Sequence, residues 1–330
     1  MDPPKFLVLG AAGYIGGTVL TDLLKQYTAS SITVLVRKPE QEQLFTTLGV
    51  NVVSGDVADA AKLKSLASEH DVVLNFAVAF GGDETSIQAL VDGLEERARE
   101  TQSKPVLLHT GGSGTVMYGS GGEAGADVWT DEQYDRWSSL PDTAFFYGGY
   151  KISVAAAALR GTISAYIVLS PTVYGRGTGP GNKLSLQLPA YTRYAKQHGQ
   201  AAYIGKGENI WGNLEVHVED LSQLTVAVAE FALRNPDKTT ASASSKGWEN
   251  LIYSGVDTHT WGPITKVLGD LLFARGETSK PSAIEIAEGE GILYMFGGNS
   301  FLAPSKKSKA LGFRPKQKDL VSSMRDALPA

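Results

Sequence analysis

The residues that most constrain this chain stand at its start. An apolar stretch, Lys5-Phe-Leu-Val-Leu9, runs into Gly10-Ala-Ala-Gly13-Tyr-Ile-Gly16-Gly17 and then Thr18-Val-Leu-Thr-Asp-Leu-Leu. It reads as a short buried strand, a glycine-punctuated turn and an amphipathic helix. A nucleotide pyrophosphate needs that order. Gly10 permits the tight turn, Gly13 lets the backbone approach the phosphates, and Gly16 lets helix and strand pack closely. The start of the helix then offers N–H groups and the positive end of its dipole to an anion.

The first half of the chain alternates strand and helix patterns. Apolar, β-branched runs at 31–36, 49–53, 71–77, 105–109 and 165–169 follow the first strand. Near-continuous apolar strands separated by helices predict a parallel sheet covered on both faces. Between two of them Ile87, Leu90, Val91 and Leu94 recur at helical spacing, and Glu95, Glu96, Arg97, Arg99 and Glu100 give that helix a solvated end. Beyond Pro171 the pattern changes to a glycine-rich loop at 175–181, a helix over 183–198, a stronger helix over 220–233 and a short strand at 251–253. The fold class expected is α/β, a Rossmann-type doubly wound parallel sheet with a smaller C-terminal lobe. Residues 1–172 form the dinucleotide domain, with 213–256 returning to it, and 173–212 and 257–330 form the substrate lobe.

Composition excludes several functions. The net charge of −5 gives no electrostatic case for a nucleic-acid partner. With no cysteine, disulfides, thiolate catalysis and Cys-ligated zinc are ruled out. The five histidines show no metal-ligand spacing, so no metal is expected. Met1-Asp-Pro-Pro does not open a secretory signal, and no apolar run approaches the roughly 20 residues a membrane span needs. A cytoplasmic protein without membrane contact is expected.

The end of the second strand reads Val36-Arg37-Lys38-Pro39. An acidic residue there would grip the ribose diol of NAD, whereas Arg37 and Lys38 favour the 2′-phosphate of NADP(H). Tyr147-Gly-Gly-Tyr-Lys151 is the one Tyr-x-x-x-Lys in the sequence, between the fifth and sixth strand patterns. At i, i+4 a phenol and an ammonium share a helix face. Gly148 and Gly149 each disfavour helix by about 1 kcal/mol, so a helix starting only at Tyr150 would leave Tyr147 outside it.

The G-x-x-G-x-x-G spacing, the Tyr-Lys pair, Ser170-Pro171-Thr-Val-Tyr174-Gly175 and Glu215-Val-His217-Val-Glu-Asp220-Leu together resemble the extended short-chain dehydrogenase/reductases, including epimerase/dehydratase-like and NmrA-like relatives. The resemblance spans residues 5 to about 225. It implies that Tyr147 is the acid–base group, that Lys151 supports it and holds the nicotinamide ribose, and that Ser113 or Thr110 holds the substrate oxygen. It further implies that the cofactor touches Gly10, Gly13, Tyr14, Ile15, Gly16, Asp56, Val57, Ala77, Pro171 and Val173. Asp56 accepts the adenine amine or caps the next helix. His217 is read as orienting backbone and Asp220 as capping its helix.

Seven glycines between Gly111 and Gly125 suggest a mobile lid. Ile152–Leu159, with four consecutive alanines, offers a small-residue surface for a possible homodimer. Three functions follow. The first is an NADPH-dependent reductase of a carbonyl or related group on a small molecule. The others are an epimerase or dehydratase on a sugar-like substrate and a non-catalytic NADP sensor.

Overall fold

The computed structural model describes residues 3–77, 84–119, 121–144, 147–255, 257–287 and 297–328. Its first strands are Phe6–Leu9 (β1), Ile32–Val36 (β2), Asn51–Ser54 (β3), Val72–Asn75 (β4), Val106–Gly112 (β5), Val128–Trp129 (β6) and Ser164–Ser170 (β7). Thr172–Tyr174 (β8), Ala201–Ile204 (β9), Ile210–His217 (β10), Leu251–Tyr253 (β11), Asp257–Thr260 (β12), Ala283–Ile286 (β13) and Ser300–Leu302 (β14) follow.

Seven strands form one parallel sheet in the order β11-β7-β5-β4-β1-β2-β3. The chain winds outward from β1 to β3, then crosses back to place β4 on the other side of β1. That reversal leaves a crevice beyond the carboxyl ends of β1 and β4, the place where such sheets bind ligands. β1, β2, β4 and β7 are buried along their whole length, as their apolar runs require.

The helices before the last part of the chain are Tyr14–Leu23 (α1), Glu42–Thr46 (α2), Ala60–Ser68 (α3), Glu84–Thr101 (α4), Tyr134–Ser138 (α5), Tyr147–Tyr150 (α6), Ala157–Arg160 (α7), Gln187–His198 (α8), Val218–Arg234 (α9) and Trp261–Ala274 (α10), and two short ones, Lys306–Ala310 and Leu320–Ala327, follow. α1 and α9 cover one face of the sheet, where Val19, Leu20, Leu221 and Val228 meet Val8, Val34, Leu108 and Val168. α3, α4 and α7 cover the other, where Leu63, Leu90, Leu94 and Ala158 meet Leu7, Leu9, Leu107 and Ala165. Two of the four alanines, Ala157 and Ala158, are thus already buried within this chain. A second sheet, β12-β10-β14-β6 with β8 beside β10, encloses an aromatic core that includes Trp129, Trp137, Trp211, Trp248 and Trp261.

Several local expectations change. β5 runs on to Gly112, because pairing with β7 as far as Ser170 outweighs the poor strand propensity of two glycines. α8 begins at Gln187, since the Asn182 carboxamide accepts from Leu184 N at 3.0 Å and holds the preceding residues in a turn. His217, not Asp220, caps α9: its Nδ1 accepts from Glu219 N at 3.2 Å, while the Asp220 carboxylate takes the Lys316 and Gln317 amides. The glycine-rich segment after β5 is stitched down rather than loose. Tyr118 and Asn299 exchange backbone hydrogen bonds of 2.9 and 2.8 Å, and Gly122 N donates to Gly297 O.

Candidate active site

The turn after β1 is built around Gly10, whose φ of +80° only glycine adopts without strain. A Cβ there would also lie 2.8 Å from the backbone of Phe76. Gly13 N donates to Gly10 O at 2.9 Å and closes the turn. Gly13 then caps α1 with no side chain over the helix end. A Cβ on Gly16 would strike Gly10 O, so helix and turn approach as closely as glycine allows.

A cavity of about 320 Å³ opens beside this turn. Gly10, Ala12 and Gly13 line one side, Gly55, Val57 and Ala77 another, and Arg37 and Lys38 stand exposed at the end of β2. An uncapped helix start, a side-chain-free turn and a cavity with two cations suit the adenosine and phosphate portion of a dinucleotide. Asp56 Oδ1 accepts from Ala58 N at 3.0 Å and shapes its own turn, while Asp59 caps α3 through Lys62 N. The helix-capping role considered for Asp56 therefore belongs to Asp59.

The glycine-rich segment after β8 is strapped across α1. The Tyr14 phenol donates to Gly175 O at 2.7 Å, Thr178 N to Thr18 Oγ1 at 3.3 Å, and Asn182 N to Ala12 O at 2.9 Å. A Cβ on Gly179 would lie 2.5 Å from Gly17, so the two backbones touch. Tyr14 is committed to this strap, and burial pushes its phenol far above the usual tyrosine range. Ile15, on α1, packs partly buried against the core between helix and sheet, Val173 pairs with Val216 in the second sheet, and Pro171 joins β7 to β8.

At the end of β5, alternation separates the candidate hydroxyls. His109 lies 6.0 Å ring to ring from Tyr150, and a Cβ on Gly111 would strike the Tyr150 hydroxyl. Both residues thus face α6. Thr110, between them, points to the opposite face, where its buried Oγ1 has no hydrogen-bond partner among the described residues. Ser113 follows the strand in a short turn, 2% exposed, with its carbonyl accepting from Ser300 Oγ at 2.8 Å. The Tyr150 hydroxyl accepts from Gly112 N at 2.7 Å and so fixes the turn that carries Ser113. Burial raises the Tyr150 phenol well above its ordinary range, which makes it a poor proton donor at neutral pH.

His109 is buried and held neutral, its pKa pushed down to about 4 by desolvation. Asn75 Oδ1 accepts from Ala77 N at 3.2 Å, which orients the amide so that Nδ2 donates to His109 Nδ1 at 3.1 Å.

α6 begins at Tyr147 despite the two glycines and passes into a π-helical turn, Lys151–Ala156. The Tyr147 side chain lies outside the described residues. Lys151 Nζ lies 2.6 Å from Asp142 in a solvent-facing pair, 54% and 79% exposed. The two lysine–carboxylate partners therefore meet at the surface. Among the described residues no group of acids and histidines could hold a metal, and no helix is long and apolar enough to cross a membrane.

The model of the NAD dependent epimerase/dehydratase family matches residues 6–240. The chain belongs to that family. Its members include NAD(P)-dependent enzymes of the epimerase, dehydratase and reductase kind. The chain is 26% identical to Oxidase ucsJ of an Acremonium species over 97% of its own length and 95% of that protein's. The UDP-glucose 4-epimerase of Thermotoga maritima, solved with UDP-glucose, shares the fold with a TM-score of 0.65 at 17% identity, covering 98% of this chain and 97% of that one. Vestitone reductase from alfalfa does so with a TM-score of 0.56 at 14% identity, covering 98% and 97%.

Within this family fold, three features escape sequence reading. Tyr150 sits in the same motif as Tyr147, but its bond to Gly112 spans 38 residues. The strap was visible only as glycines at 175, 177, 179 and 181, with nothing to say what they touch. Asn75 and His109 are joined only because β4 and β5 pair in register.

Proposed function

We propose that this protein is an NADPH-dependent oxidoreductase that reduces a carbonyl or related group of a small molecule. The observation that carries the reading is the pair Arg37 and Lys38, exposed at the end of β2 beside the cavity. A guanidinium fork and an ammonium suit a 2′-phosphate, and a carboxylate there would suit a ribose diol instead. When bound, the cofactor supplies hydride. The Gly10–Gly16 turn would hold the pyrophosphate, Asp56, Val57 and Ala77 the adenosine portion, and Pro171 and Val173 the nicotinamide end.

Ser113 holds the substrate oxygen in this reading, since Thr110 faces the other side of the sheet. Tyr147 gives its proton to the developing alkoxide. Lys151 leaves Asp142 to stabilise the phenolate and hold the ribose. That exchange costs little, because exposed ion pairs contribute about 0–1 kcal/mol. The oxidase name of the Acremonium relative, matched along nearly its whole length, is in keeping with redox chemistry. The substrate lies between the sheet's carboxyl edge and the lobe of residues 173–212 and 257–330.

The outward Lys151–Asp142 pair favours a second reading, a protein that binds NADP without turning over. One experiment separates these. Purified protein is mixed with NADPH and a panel of ketones and aldehydes, and nicotinamide absorbance and products are followed. Loss of NADPH matched by alcohol supports the reductase. Retained cofactor with isomerised or dehydrated product would point to the epimerase class, and saturable binding with no product to the sensor.

A further inference from the structure

We propose that Lys62, on α3, is a third cation of the 2′-phosphate subsite; this rests on the NADP(H) reading above. Gly55 N donates to Val36 O at 2.9 Å, which sets Gly55 beside the peptide leading into Arg37. Neighbouring strands lie about 4.8 Å apart, so the ends of β2 and β3 form one short ledge. Lys62 folds back over that ledge from the first turn of α3. Its Nζ donates to Ser54 O at 2.9 Å. A Cβ on Gly55 would lie 2.7 Å from Lys62 Cδ and 3.1 Å from its Nζ. Gly55 itself lines the cavity with Arg37, Lys38 and Gln41. The glycine thus leaves room for the ammonium directly behind the cavity wall, where a larger residue would displace it.

Three carboxylates share the ledge with these cations. Asp59 is occupied as the cap of α3, and Asp56 as the acceptor of its own turn. Glu42 is held by the Ser54 hydroxyl. These three carboxylates keep their charge while accepting from neutral donors, and Arg37, Lys38 and Lys62 set three positive charges against them at the strand ends. A phosphate dianion gains more from these cations than a neutral ribose diol does.

The test uses the whole protein and two cofactor fragments, 2′,5′-ADP and 5′-AMP, titrated by calorimetry. The intact chain prefers 2′,5′-ADP. Lys62→Gln weakens 2′,5′-ADP about ten-fold, as expected for one charge-assisted contact, and leaves 5′-AMP within about two-fold. Lys62→Arg retains the preference. Equal weakening of both fragments by Lys62→Gln would make Lys62 a structural cap of Ser54 and overturn the proposal. An unchanged preference in Lys62→Gln, with the preference lost in Arg37→Ala, would also overturn it while leaving the NADP(H) reading intact. No preference in the intact chain would overturn both.

Discussion

The phenol of Tyr14, in the first turn of α1, donates to the carbonyl of Gly175 at 2.7 Å across 161 residues of chain. Through this bond and the Gly17–Gly179 contact, the second half of the protein braces the helix whose start faces the cavity. Tyr14→Phe leaves the ring and removes the bond, so the buried Gly175 carbonyl loses its donor. The expected loss is about 1–2 kcal/mol of stability. Urea denaturation checks it, and an unchanged midpoint at constant m-value would contradict it.

Two glycines of one motif should fail differently. A Cβ on Gly13 meets only Gly10 O, at 3.0 Å, whereas one on Gly16 strikes that carbonyl outright. Gly13→Val therefore keeps most of the fold and abolishes cofactor binding, because its side chain fills the space the phosphates need. Gly16→Val lowers stability itself by several kcal/mol, about the range of severe core strain. Calorimetry with NADPH beside circular dichroism melts distinguishes them. Unchanged cofactor affinity in Gly13→Val would reduce the motif to a turn.

His109 makes stability depend on pH. Its folded pKa, about 4, lies below the ordinary histidine value of 6.5, so the unfolded chain binds its proton more readily. The stabilisation is fully present above pH 6.5 and is lost as pH falls toward about 4. It amounts to roughly 3 kcal/mol, at about 1.4 kcal/mol per pH unit. The difference in unfolding free energy between the intact chain and His109→Gln should shrink by that amount over this window. Parallel curves would contradict the assignment.

How much of this was legible in the sequence follows the range of the interactions. The turn after β1 is local: Gly10, Gly13 and Gly16 pack on one another, so their spacing alone carries the geometry. The parallel sheet announces itself through β-branched runs buried on both faces. The end of β5 does not, because Gly111 and Gly112 read as loop until their pairing with Leu169 and Ser170 makes them strand. Only that extension fixes which way Thr110 faces. The exchange of Asp220 for His217 as the cap of α9 has the same origin: Asp220 is drawn to amides at 316 and 317, nearly a hundred residues away. Lys151 pairs with Asp142, which an i, i+4 rule never considers.

If Tyr147 completes the reduction by giving up its proton, Tyr147→Phe removes the donor and nothing else. The substitution removes one oxygen and leaves the cofactor cradle untouched. On a carbonyl substrate turned over by the intact protein, kcat should fall about 10²–10⁴-fold while the Kd for NADPH stays the same. Full activity in Tyr147→Phe would mean that another group supplies the proton.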